Sequence, residues 1–168
     1  MEIVLGLLHL LGTAVWFGGV LFLGLVLVPV SRAFGETGQN LVRSVGRRFV
    51  WIVWPAIGVA VASGVEFGIR YGYWEALFRG NWGAYPLGGV FVLKVVLVGL
   101  ALVLEGLHDW VIPALATRRE RSASATTPPH PALLAQATAL RRMSSRVAML
   151  NGGVVLAVVV LGVWLSRG

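Results

Sequence analysis

Four stretches of this chain, roughly residues 3–30, 49–71, 88–113 and 147–165, are apolar over about the 20 residues a bilayer core demands. Inside lipid every backbone N–H and C=O must be satisfied within its own helix or within a closed barrel, so runs of this length fold as helices. Apolar residues make up 57% and charged residues 12% of the sequence, where soluble domains carry roughly 25% charged. The mean hydropathy is +0.82. The expected fold is all-α, an integral membrane four-helix antiparallel bundle, with residues 1–168 forming one transmembrane domain without a sheet. The first run is longer than the apolar region of a secretion signal and has no basic residues before it, Glu2 being its one early charge. It reads as a retained helix.

Cysteine is absent, which excludes disulfides, iron–sulfur clusters and thiolate metal sites. The net charge of +7 is placed as membrane proteins place it, and no nucleic-acid partner is expected. Arg32, Arg43, Arg47 and Arg48 lie between the first two spans, and Arg118, Arg119, Arg121, Arg141, Arg142 and Arg146 between the last two. Arg70, Arg79 and Arg167 are left for the opposite side. By the positive-inside rule, both termini and the loop between spans two and three face away from the cytoplasm of an inner (plasma) membrane.

Within that frame, the first helix is expected to end near Pro29. Gly35-Glu36-Thr37-Gly38 is expected to break the chain before a short basic amphipathic segment. The stretch from Arg70 to Leu87, rich in Tyr, Trp and Gly, suits an aromatic belt. Residues Thr117 to Pro131 read as a flexible loop, and Pro131 to Arg146 as helix leading toward the fourth span.

Lys94 is the one lysine of the chain and falls inside the third span. A lysine at the centre of a lipid-facing helix costs ~2.5–3.5 kcal/mol on insertion scales, so it is expected to face protein. Counting residues from the span edges puts His9, Lys94 and Glu66 at one depth, about 9 Å in. His108 lies ~21 Å deeper than Lys94, in a layer with Glu105, Asp109, Arg142, Arg146 and Asn151. At 100° per residue, Lys94, Glu105 and His108 share one stripe of the third helix, and His9, Gly12 and Trp16 one face of the first. The small residues beside His9 leave room for a large flat ligand or for close helix contact.

Several readings stay open. His9 is either a metal or haem ligand or a histidine bonded across helices. Lys94 pairs with Glu66, neutralises a carboxylate of a ligand, or binds iron itself. His108 with Glu105 and Asp109 forms either a metal or proton-handling cluster or a set of charges paired with Arg142 and Arg146. His9 and His108 are too far apart in depth to share one metal. His130, in Pro128-Pro129-His130-Pro131, reads as a solvated loop residue, and Trp16 as packing or the wall of a cofactor pocket.

The run Leu8-His9-Leu10-Leu11-Gly12-Thr13-Ala14-Val15-Trp16-Phe17-Gly18-Gly19 resembles the copper-resistance CopD family and the related HemJ-type protoporphyrinogen oxidases. Leu93-Lys94-Val95-Val96-Leu97 is similar to the lysine-bearing segment of both. Leu107-His108-Asp109-Trp110-Val111-Ile112-Pro113 and Ser145-Arg146-Val147-Ala148-Met149-Leu150-Asn151 look like segments of small CopD-like proteins. The resemblance implies four membrane helices with a family histidine and lysine at His9 and Lys94, associated with haem b and porphyrinogen oxidation in one group and with copper in the other.

Copper(I) favours soft Met and Cys ligands, whereas the methionines here are Met1, Met143 and Met149. The leading expectation is therefore a haem-b protein with His9 as axial ligand and Lys94, Trp16, Gly12 and Glu66 around the cofactor. It would be a membrane oxidoreductase or electron carrier passing electrons to quinone or a respiratory partner, as monomer or homo-oligomer. His108 marks a separate second site. The rivals are a CopD-type copper transporter and a non-catalytic assembly subunit.

Overall fold

A computed structural model describes residues 2–125, 128 and 130–166. Met1, Pro129 and Arg167, each named above, lie outside them. The structure is all-α, with no strand among the described residues. Four helical segments, Glu2–Arg32, Gly35–Arg70, Gly88–Ser124 and Pro131–Leu165, are long and apolar enough to cross a bilayer. This is consistent with a multi-pass membrane protein.

The helices overrun the spans expected from hydropathy, for local reasons. Helix α1 (Glu2–Leu21) passes through a π-helical stretch, Phe22–Leu27, into α2 (Val28–Arg32). Pro29 therefore does not end the helix. It lacks an N–H and its ring crowds the carbonyl four residues back, and the wider π turn in front of it absorbs both defects. The same device recurs where α5 (Gly88–Gly106) passes through Leu107–Val111 into α6 (Ile112–Ser124), two residues into which stands Pro113. Residues 117–124 are thus helix and not loop. Gly35-Glu36-Thr37-Gly38 is also helical, forming the first turn of α3 (Gly35–Arg70). Gly35 adopts φ +55°, a left-handed conformation available to glycine, so the chain reverses at Ala33-Phe34 and re-enters helix at once. Helix α7 (Pro131–Leu165) runs unbroken, as the pattern from Pro131 predicts.

The chain divides into two compact units. In the first, Met1–Val95 with Val158–Gly168, α1 and α2 pack antiparallel on α3. The register is set by small residues. Gly12 lies against Ala56 and Ala60, Gly19 against the Phe49 ring, and Gly38 against the Ser31 carbonyl. Trp16, Val53 and Ile57 are buried in this unit. Short helix α4 (Tyr73–Phe78) follows Gly72, at φ 73°. Trp74 donates from Nε1 to the Val65 carbonyl at 3.0 Å and meets Phe91 edge-on at 5.3 Å, while Tyr73 stacks on Phe91 at 5.0 Å. The aromatic loop is therefore a packed cap on α3 and the start of α5.

In the second unit, Val96–Ala157, the α5–α6 segment faces α7 antiparallel. Glu120 takes a paired contact from Arg141 at 2.8–2.9 Å. His108 meets Ser144, and Glu105 meets Asn151. Ala101, Ala116, Ala137 and Val155 are buried there.

Candidate functional site

The face of α1 bearing His9, Gly12 and Trp16 is the one that meets α3. A Cβ at Gly12 would stand 2.7 Å from the Ala56 carbonyl oxygen and 2.9 Å from the Ala60 nitrogen, so only glycine allows this backbone approach. The close approach brings His9 onto the next turn of α3. Its Nδ1 lies 2.9 Å from the Ala60 carbonyl oxygen and 3.1 Å from the Ser63 hydroxyl. A carbonyl can only accept, so Nδ1 carries the proton and donates it. Ser63 is buried and directs its own proton to the Val59 carbonyl at 2.6 Å, which leaves an oxygen lone pair toward His9.

In the neutral ring the lone pair is then on Nε2. Among the described residues Nε2 of His9 has no hydrogen-bond partner. Gly64 lies beneath the ring edge, where a Cβ would be 3.2 Å from Cε1. Phe67 meets the ring edge-to-face at 5.9 Å. This histidine is oriented by one nitrogen and offers the other, the arrangement in which metal-ligating imidazoles are usually held.

Lys94 is half-buried on α5. Its ammonium lies against the backbone of α7, since a Cβ on Gly162 would be 3.1 Å from Nζ. Among the described residues Lys94 makes no hydrogen bond or ion pair. The expected Lys94–Glu66 pair does not form. The Glu66 carboxylate is taken by Arg70 at 2.7 Å, one turn along the same helix. An i,i+4 partner is already in reach and orders fewer groups than a partner across helices. Trp16 is 3% exposed, and its Nε1 is buried without a partner.

The second unit holds a polar ladder. Asn151 and Glu105 are both buried, and Asn151 donates from Nδ2 to the Glu105 carboxylate. Asn151 Oδ1 is buried without a partner. On the next rung His108 Nδ1 contacts the Ser144 hydroxyl at 2.9 Å, and its Nε2 stands 3.8 Å from Asp109. Among the described residues Arg142 and Arg146 make no ion pair, and the contacts seen from this layer to α7 include an amide at Glu105 and a hydroxyl at His108. Ser144 has no signal in the sequence beyond lying seven residues from Asn151, on the same helix face. Among the described residues no three His, Asp or Glu side chains converge to hold a metal ion. The trio His108, Glu105 and Asp109 therefore does not form a metal cage.

His130 is exposed and its N–H reaches the Ala123 carbonyl at 3.2 Å, in keeping with a loop residue. Comparison with protein-family models, with curated proteins and with solved structures gives no match.

Proposed function

We propose that this chain is a multi-pass membrane protein that binds haem b, which His9 would hold through Nε2 while Lys94 would supply a counter-charge to its carboxylates. The observation that carries this reading is the state of His9, with Nδ1 tied to Ala60 and Ser63 and Nε2 left free. The donor set fits the group. A haem needs one oriented imidazole from the protein and a counter-charge for its propionates. Lys94 is a half-buried cation without a partner among the described residues, and an unpaired charge in a span is costly unless a ligand answers it. Gly12 and Gly64 let α1 close onto α3 so that the ring is held against Ala60 and Ser63, and Trp16 has a buried indole N–H without a partner. The resemblance of the first helix and of the Lys94 segment to HemJ-type and CopD chains points the same way.

Bound haem would supply a one-electron redox centre, serving electron transfer or porphyrinogen oxidation with quinone or a respiratory partner as acceptor. The chain's own contributions are to orient the imidazole, to hold its Nδ1 proton, and to neutralise carboxylates within lipid. The asymmetry of arginines supports an orientation with the His9 end and both termini on the non-cytoplasmic side of an inner membrane.

Protein purified from membranes of a haem-producing host is expected to show a Soret band and a haem b pyridine haemochrome, both lost in His9→Ala. Wild-type protein that is colourless and carries near-stoichiometric copper overturns the reading in favour of metal transport.

A further inference from the structure

The paired arms α1–α2 and α3 continue past the level where Gly19 meets Phe49, as far as the contact of Ser31 with Gly38. Over this stretch the two arms differ in kind. Residues 20–31 contain no charge, and Leu21, Phe22, Leu25, Val26 and Val30 are exposed. The arm beside them, residues 35–48, exposes Arg43, Arg47 and Arg48 against a single acid, Glu36. Among the described residues none of these three arginines makes an ion pair or hydrogen bond. The arginines at the other end of the same unit are answered, Arg70 by Glu66 and Arg79 by Glu75, each at 2.7 Å.

Residues 3–30 form an apolar helical rod ~42 Å long at 1.5 Å per residue, against a hydrocarbon core of ~30 Å. The surplus must tilt or lie in the interface. Because Gly19–Ser31 runs beside Gly38–Phe49, the surplus lies level with the arginines. An apolar face flanked by unpaired cations at one depth matches the boundary between acyl chains and phosphates, where arginine bonds phosphate oxygens bidentately. Arg43 and Arg47 are one turn apart, and Trp51, 75% exposed, follows one turn further, in the position of an interfacial anchor.

We infer that the hairpin end formed by residues 20–32 and 35–48 is a binding surface for anionic phospholipid, its apolar arm in the acyl layer and Arg43, Arg47 and Arg48 on the headgroup phosphates. The apolar face is continuous with the lipid-facing surface of the span, which favours lipid over a protein partner as its occupant.

The test is native mass spectrometry of the full chain in mild detergent, titrated with phosphatidylglycerol or phosphatidylcholine of matched acyl chains. Wild type retains the anionic lipid preferentially, by about fivefold for each engaged arginine. The triple variant Arg43→Gln/Arg47→Gln/Arg48→Gln loses the preference. The matching triple lysine variant keeps most of it, and so does Arg79→Gln at the far end. Unchanged helical circular dichroism shows that the triple variant is folded. Equal retention of the two lipids by wild type, an unchanged preference in the triple glutamine variant, displacement by equimolar inorganic phosphate, or dimers in place of lipid adducts would each overturn the inference.

Discussion

His9 and Ala60, 51 residues apart in sequence, are joined by a 2.9 Å hydrogen bond from the imidazole Nδ1 to a backbone carbonyl. Because the acceptor is backbone, the tautomer of His9 is set by the packing of α1 on α3 and not by a second titratable group. Ser63→Ala should remove the second contact of Nδ1 while leaving the first. Outer partners of ligating histidines are worth ~10–100-fold in affinity, and loss of one of two acceptors should fall at the low end. Haem titration of Ser63→Ala beside His9→Ala checks this, with weakened binding in the first and no Soret band in the second.

Gly12 should tolerate no side chain. In Gly12→Val the branched side chain would be driven into the Ala56 carbonyl and the Ala60 nitrogen, where even a Cβ stands at 2.7 and 2.9 Å. Overpacking of this kind costs about 1–3 kcal/mol, and it moves the very turn that holds His9. Gly18→Ala is the control, since nothing lies within 4 Å of its Cβ position. Thermal denaturation in detergent should fall for Gly12→Val and remain near wild type for Gly18→Ala.

Lys94→Met should leave the fold intact or firmer, because it removes a cation that has no protein partner among the described residues and that is expensive in a span. Haem retention should drop in the same variant. Gly162→Val, which crowds Nζ from α7, should lower retention while keeping the charge. A Lys94→Met protein that melts early would mean that the ammonium is structural. Melting curves and haem-to-protein ratios separate the two.

Glu105 and Asn151 should behave as a unit. Asn151→Leu strips a buried carboxylate of its amide donor, a loss of about 1–3 kcal/mol or more for a charged group. Replacing both, in Glu105→Leu/Asn151→Leu, should recover part of the stability, because the carboxylate and the amide that meet each other are removed together. Chemical denaturation of the two single variants and the double variant gives the coupling. Additive effects would show that the contact carries no energy of its own.

Much of the site is legible in the amino-acid sequence. Helical spacing alone groups His9 with Gly12 and Trp16 on the face that meets α3, and residue count alone expects Lys94 at the depth of His9. Asn151 and Glu105 likewise fall in one layer by residue count. The partners are not legible in this way. Glu66 matches Lys94 in depth but bonds Arg70, and the His108 layer bonds Ser144 and Asn151 while Arg142 and Arg146 stay exposed. Periodicity gives the direction in which a side chain leaves its own helix. It says nothing about the helix opposite.

The sequence by itself determined that this chain is all-α, with four segments able to cross a bilayer, because about 20 apolar residues in lipid have no other way to satisfy their backbone. It did not determine where those helices stop, since hydropathy reports solvent and not hydrogen bonding; the π turns before Pro29 and Pro113 carry helix past both prolines. Only the tertiary structure decided the register of α1 on α3, through Gly12, Gly19 and Gly38. That register decides which carbonyl meets His9, and so which nitrogen of its ring is left free.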